Sequence, residues 1–179
     1  MLHGERVVLR AIRREDLPNY VVWLNDPDVL EYFGNLRPMS LPQEEKWYES
    51  MLQDRNVLNF AIEVAGRHVG GCGFANMDHQ NRWAEVGLFI GVKELWGQGL
   101  CADVLRTLLR YGFEQLNFHR IYLRLFAENE RGRRCYERVG FQVEGRFREH
   151  FFRHGRWIDE LRMSVLEDEW RAGQMAGKP

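Results

Sequence analysis

The chain predicts an α/β (α+β) fold built on a mixed, largely antiparallel sheet flanked by helices, and three observations carry that expectation. Near residue 57 the apolar period changes from helical to two-residue alternation. Three alternating runs then follow with connections of only a few residues, which makes them an antiparallel meander. The order of a helix, three strands, helix, strand, helix and closing hairpin gives a mixed sheet rather than an all-parallel one.

In chain order, residues 6–12 alternate and are β-rich, which predicts an opening strand. Arg14-Glu15-Asp16 with Pro18 marks a helix start, since acids suit the first turn, and Leu17, Tyr20, Val21 and Leu24 supply its apolar face. Asn25-Asp26-Pro27 breaks that helix. A short helix over 29–33, a loop through Gly34 and Pro38, and a helix over 42–53 with Trp47, Met51 and Leu52 turned inward complete the first third. The meander comprises 57–64, 67–74 and 84–90, turning at Ala65-Gly66 and at 77–82. A helix over 102–115 carries Val104, Leu105, Leu108, Leu109 and Phe113 at helical spacing, and 120–127 alternates as a strand. Glu128-Asn129-Glu130 opens a helix that runs to Val139 and stops at Gly140, a good left-handed cap. Runs 141–148 and 157–166 close the chain as a hairpin around His154-Gly155. Residues 1–172 read as one domain and 173–179 as a flexible tail.

Composition narrows the function. A formal net charge of −1 with interleaved signs argues against a nucleic-acid or anionic-membrane surface. Cys72, Cys101 and Cys135 form no C-x-x-C pair and have no clustered histidine, so they read as reduced intracellular thiols without a metal. No stretch approaches the roughly 20 apolar residues that span a bilayer, and no signal peptide opens the chain; a cytoplasmic protein is expected.

Residues 95–102, Leu-Trp-Gly-Gln-Gly-Leu-Cys-Ala, organise the rest. Two glycines one residue apart, where strand gives way to helix, let backbone amides turn toward a phosphate. Gly97-Gln98-Gly99-Leu100-Cys101-Ala102 fits the dinucleotide fingerprint G-x-G-x-x-A, but a meander precedes it and Asn117, His119 and Arg120 occupy the region where that fingerprint needs an acid. A P-loop is excluded because no Lys followed by Ser or Thr succeeds the glycines. An ordinary glycine turn stays open at this point.

A second motif shifts the balance: residues 127–141, Ala-Glu-Asn-Glu-Arg-Gly-Arg-Arg-Cys-Tyr-Glu-Arg-Val-Gly-Phe. With Trp96-Gly97-Gln98-Gly99-Leu100-Cys101 it closely resembles the Gcn5-related N-acetyltransferases (GNAT), and more narrowly their ribosomal-protein and spermidine acetyltransferase branch. Leu9-Arg10, Glu15-Asp16-Leu17, Asp26-Pro27, the run from Glu144-Gly145 to His154-Gly155, and Trp170 extend the resemblance over nearly the whole chain. It implies a sheet that splays beside the meander's last strand, with acetyl-CoA in the opening as co-substrate and no metal. Pyrophosphate would lie on Gly97, Gln98, Gly99, Leu100, Cys101 and Ala102, with Arg134 nearby and Trp96 standing where the family carries Gln or Arg. Leu88, Phe89 and Ile90 would hold the pantetheine arm, and Asn129 would bond the arm or its own helix entry.

The resemblance also assigns the chemistry. Tyr136 would protonate the departing thiolate, as a phenol of pKa about 10 stays protonated at neutral pH; a core aromatic is the alternative. Glu85 is the candidate base for the acceptor ammonium, directly or through water; a strand charge paired with a neighbouring cation is the alternative. Trp23, Tyr32, Phe33 and Trp47 would wall the acceptor side. Expected partners are a small-molecule or peptide amine, a protein N-terminus, polyamine or amino sugar, with a homodimer admissible. Glu44-Glu45, Asp26, Asp28 and Glu31 are the clusters that could attract a polycation. Competing functions are a non-catalytic acyl-CoA-binding domain and a dinucleotide-dependent oxidoreductase.

Overall fold

A computed structural model describes residues 1–33 and 37–176, so the part of the expected loop at Gly34 and the last three residues of the expected tail lie outside the described residues. Eight strands form one sheet: β1 (Leu2–His3), β2 (Val7–Ala11), β3 (Leu58–Val64), β4 (Arg67–Asp78), β5 (Trp83–Ile90), β6 (Arg120–Phe126), β7 (Gln142–Arg153) and β8 (Arg156–Leu166), in spatial order β1-β2-β3-β4-β5-β6-β8-β7. Every neighbouring pair is antiparallel except β5 with β6. The helices are α1 (Leu17–Trp23), α2 (Pro27–Leu30), α3 (Leu41–Gln53), α4 (Leu100–Glu114), α5 (Glu130–Val139) and α6 (Glu167–Ala176).

The meander from β3 to β5 is as expected, and the exception creates the site. Because α4 carries the chain back across the sheet, β6 enters parallel to β5, and the two pair only over Trp83↔Arg120, Ala84↔Ile121 and Glu85↔Tyr122. Beyond Glu85 they diverge, since β6 continues along β8 through Phe126↔Glu160. The stretch from Val86 to Ile90 thus keeps one edge without a strand partner.

Helix α4 packs as its spacing predicts: Val104, Leu105, Leu108 and Leu109 are fully buried and Phe113 nearly so. Each such side chain stabilises the fold by roughly 1.5–3 kcal/mol. Gly112 lets the helix approach closely, since a Cβ there would come within 2.6 Å of Ile121 Cδ1. Asp103, in the first turn, faces away from its own helix end. Its carboxylate accepts the backbone amides of Glu5 (2.8 Å), Arg6 (2.8 Å) and Val7 (3.1 Å), tying the start of β2 to α4.

Three expectations need correction. In α3, Trp47 and Leu52 do not face the core: Leu52 is 56% exposed and Trp47 36%, and the inward row is Glu44, Tyr48 and Met51. The face is set by packing against α1: Leu52 lies off that stripe, whereas Trp47 stands on its rim with its ring 6.1 Å from that of Tyr20. The segment from Gly173 to Ala176 continues α6 instead of starting a loose tail, with acids Glu167, Asp168 and Glu169 in the helix's first turn. The two-residue β1 goes beyond the single opening strand expected, pairing Leu2 with Leu9; so short a segment carries no period of its own.

Candidate active site

The divergence of β5 and β6 opens a cleft of about 740 Å³, floored by β4 and β5 and closed on the far side by α4 and α5. Its shape follows from glycine placement. Gly71, Gly73, Gly87, Glu85 and Phe89 alternate onto one face, because the register pairs 71 with 89 and 73 with 87. A Cβ on Gly87 would meet nothing within 4 Å, so this part of the floor is bare backbone. Isolated glycines inside strands are a sequence signal for close approach of another group.

At one end lies the phosphate loop. Gly97 (φ +74°) and Gly99 (φ +82°) adopt left-handed backbone that favours glycine, and a Cβ on either would meet nothing within 4 Å. Among the described residues the amides of Gly97, Gln98, Gly99, Leu100, Cys101 and Ala102 donate to no backbone carbonyl. With Asp103 turned toward β2, no side chain caps them. Arg131, Arg134 and Arg138 line the same end from α5, and neither Arg134 nor Arg138 has an ion-pair partner among the described residues. This end therefore suits a polyanionic, narrow ligand such as the pyrophosphate of acetyl-CoA.

Trp96 acquires a definite role. Its indole Nε1 donates to the Ile90 carbonyl at 2.7 Å, bracing the loop against β5, and the Arg131 guanidinium stacks over its ring at 4.7 Å. Arg131 thus places a cation of α5 over the indole face, at the position where the family carries Gln or Arg.

The pantetheine positions divide unequally. Gly91 donates to the Val69 carbonyl at 2.8 Å, so by the antiparallel alternation Phe89 and Gly87 bond β4, while Val86, Leu88 and Ile90 point into the opening. The Ile90 carbonyl is occupied by Trp96. Leu88 keeps both backbone groups toward the cleft, and Phe89 contributes its ring, not its backbone.

Asn129 caps α5, its Oδ1 accepting from Gly132 N at 2.8 Å. The side chain also lines the cleft. Tyr136 stands two turns further along, half-buried, its hydroxyl without a hydrogen-bond partner among the described residues; burial and the adjacent Cys101 and Cys135 push its phenol pKa up, keeping it protonated. Cys101 and Cys135 share a hydrogen bond across the mouth, Sγ–Sγ 2.7 Å, and that contact, with Arg138 and Arg106 nearby, holds the Cys135 thiol below its ordinary pKa.

Glu85 sits at the other end, held by Arg124 Nε (2.6 Å), Asn76 Nδ2 (2.8 Å) and Tyr122 Oη (3.3 Å). Pairing with a neighbouring cation is realised, and so is placement on the cleft. Asn76 reaches Glu85 because a register shift between Ala75 and Asp78 puts it in left-handed backbone, φ +49°, which asparagine tolerates. Sequence reasoning missed Arg124, Asn76 and Tyr122; alternation along β6 beside Glu85's strand was the available signal. It also missed Asn59 on β3, which lines the cleft opposite Gly73. Of the early aromatics, Tyr32, Phe33 and Trp47 line the cleft, whereas Trp23 packs behind it on Gly91 and His68.

Among the described residues no helix is long and apolar enough to cross a membrane, and no three His, Cys, Asp or Glu side chains gather as a metal site requires. The family profile of the acetyltransferase (GNAT) domain matches residues 6–142. The spermidine N(1)-acetyltransferase of Escherichia coli K12 is 30% identical over 185 positions, spanning 100% of this chain and 98% of that protein. The Bacillus licheniformis N-acetyltransferase p20 is 29% identical, over 94% of this chain and 97% of its own length. Among solved structures, spermidine N-acetyltransferase from Vibrio cholerae in complex with CoA and spermine superposes with a TM-score of 0.88 at 29% identity, covering 94% of this chain and 99% of that one. A splayed sheet with a bare phosphate loop at its mouth, matched over nearly its full length by such relatives, places the chain in the GNAT family as an acetyl-CoA-dependent N-acetyltransferase.

Proposed function

We propose that the protein transfers acetyl directly from acetyl-CoA to a primary amine within a ternary complex, with Glu85 serving the amine and Tyr136 the thiol. The observation that carries this is that both side chains line one cleft, Glu85 from β5 and Tyr136 from α5. Spermidine, the acceptor named for the relatives, is one member of the amine class.

The coenzyme would be held by the amides of Gly97 to Ala102, by Arg131 and Arg134, by Leu88 backbone and by Asn129. When bound it supplies a thioester carbonyl for the amine to attack and a thiolate that leaves. The chain's own residues do the rest. An amine of pKa about 10.4 is only about one part in a few thousand neutral at pH 7, so a proton must be removed. Glu85 accepts it, directly or through a water, while Arg124, Asn76 and Tyr122 fix its carboxylate in place. Tyr136 Oη, kept protonated by its surroundings, gives its proton to the departing sulfur. The Leu88 amide polarises the reacting carbonyl.

Thiol release from acetyl-CoA across a panel of amines tests this. Tyr136→Phe should lower kcat by roughly 10²- to 10⁴-fold with CoA affinity kept, and Glu85→Gln should do the same most severely for the most basic amines. Unchanged turnover in Tyr136→Phe would remove the acid role.

A further inference from the structure

The acceptor half of the cleft is an aromatic wall with two idle polar groups. Tyr20, Phe33, Trp47 and Phe89 form the wall: ring centroids lie 5.8 Å apart for Tyr20–Phe89, 5.5 Å for Phe33–Phe89 and 6.1 Å for Tyr20–Trp47. Tyr20 is 2% exposed, yet its buried hydroxyl has no hydrogen-bond partner among the described residues. A buried hydroxyl left without a partner is destabilising, so its place needs a reason. It lies over the glycine floor, 3.1 Å from where a Cβ on Gly71 would stand, and only glycine there leaves it room. Asn59, on the same face over Gly73, has no side-chain hydrogen bond among the described residues either.

Charge on the same walls is already neutralised. Asp28 and Glu85 are the acids that line the cleft among the described residues, and each carries a cation: Lys93 at 2.8 Å from Asp28 and Arg124 at 2.6 Å from Glu85. Lys93 also takes Asp26 at 2.8 Å, and Glu44 is buried off the cleft at 2% exposure. Arg124 lines this half, while Arg131, Arg134 and Arg138 line the phosphate end of the same cleft. Among the described residues that line the cleft, a second or third ammonium group would meet no unpaired carboxylate.

We infer that the acceptor is a monoamine with an apolar, preferably aromatic, carbon skeleton and a neutral hydrogen-bonding group beside its amine, and that Tyr20 and Asn59 select it. The apolar body lies on Phe33, Trp47 and Phe89, and the neutral group pairs with Tyr20 Oη and the Asn59 amide. Burial keeps the Tyr20 phenol protonated and therefore a donor. Discrimination follows from leaving those groups unpaired when an acceptor lacks the matching polar atom. This rests on the transferase reading of the cleft above.

The test compares phenylalaninamide, 2-phenylethylamine, glycinamide, glucosamine and spermidine as acceptors, by thiol release and, with CoA present, by shift in melting temperature. Phenylalaninamide should lead in kcat/KM, and spermidine should trail it by about tenfold or more. Tyr20→Phe should raise the phenylalaninamide KM by roughly five- to tenfold with kcat little changed, collapse its preference over 2-phenylethylamine, leave the CoA affinity alone, and hold or raise the melting temperature because the orphan hydroxyl is gone. Spermidine as the best acceptor, or an unaltered preference in Tyr20→Phe, overturns the inference. If no amine releases thiol but phenylalaninamide still shifts the melting temperature through Tyr20, the transferase roles fail and the acceptor site stands; loss of both signals overturns the acceptor site.

Discussion

Gly87 and Gly73 occupy the same face of the cleft floor and should respond in opposite ways to a single methyl group. A Cβ on Gly87 meets nothing within 4 Å, and its backbone lies outside the left-handed region, so Gly87→Ala fits the fold and narrows the unfolded ensemble. Stability should stay level or rise by up to about 1 kcal/mol, a shift of no more than about 2–4 °C at this chain length. The methyl nevertheless stands about 1.5 Å off the strand, between Glu85 and Phe89, where amine and thioester must meet. Misplacing reacting groups by about 1 Å costs on the order of 10²-fold, so kcat/KM should fall by about 10- to 100-fold. On Gly73 the same methyl would run into the Leu58 carbonyl and Asn59, whose Cα would lie 2.8 Å away. Backbone of a paired strand cannot give way cheaply, and Gly73→Ala should cost about 1–3 kcal/mol, lowering the melting temperature by about 3–10 °C. Differential scanning fluorimetry alongside thiol release reads both quantities. Wild-type turnover by a normally stable Gly87→Ala protein would refute the placement of the reaction centre.

Two further outcomes concern the scaffold. Asp103→Asn sets an amide NH₂ against at least one of the three backbone amides the carboxylate now accepts, so about 2–4 kcal/mol should be lost and the melting temperature should drop by about 5–15 °C. A drop below about 2 °C would show that the β2–α4 tie is replaceable. His68 is buried, with Nε2 3.0 Å from the Gly70 carbonyl and Nδ1 3.3 Å from Asp16, and burial holds its pKa below the ordinary 6.5 despite Asp16. The unfolded chain therefore binds this proton more readily. Its stability contribution is whole above about pH 6.5 and is lost as pH falls through the lower folded value. Melting temperature should decline from pH 7 to 5, and less steeply in His68→Gln; equal slopes would remove His68 as the cause.

The phosphate loop, the amphipathic face of α4, the meander and the Gly140 stop were legible because each depends on spacing within a short stretch, which periodicity and glycine position report directly. Tyr136 and Asn129 were legible through motif resemblance and Glu85 through its place on the strand just before the coenzyme-contacting run, and all three line the cleft. The inward face of α3 was misjudged, because which of several apolar rows turns inward is decided by the neighbouring helix α1. Tyr20 looked like ordinary core, and nothing local to α1 reveals that its hydroxyl ends over Gly71 without a partner.

Sequence alone determined the order and type of most elements and the bare amide loop at Gly97–Gly99, since these rest on local backbone preference and on residues close in the chain; the acetyl-CoA-dependent class of chemistry was legible only through the resemblance of two motifs to a known family. Tertiary structure decided what those residues do to one another. It turned Asp103 away from the phosphate loop, stacked Arg131 on Trp96, withdrew Phe89's backbone into the ladder, and clamped Glu85 with Arg124. Each of these joins side chains or strands far apart in sequence, and only the crossover through α4, which parts β5 from β6 beyond Glu85, brings them to one cleft.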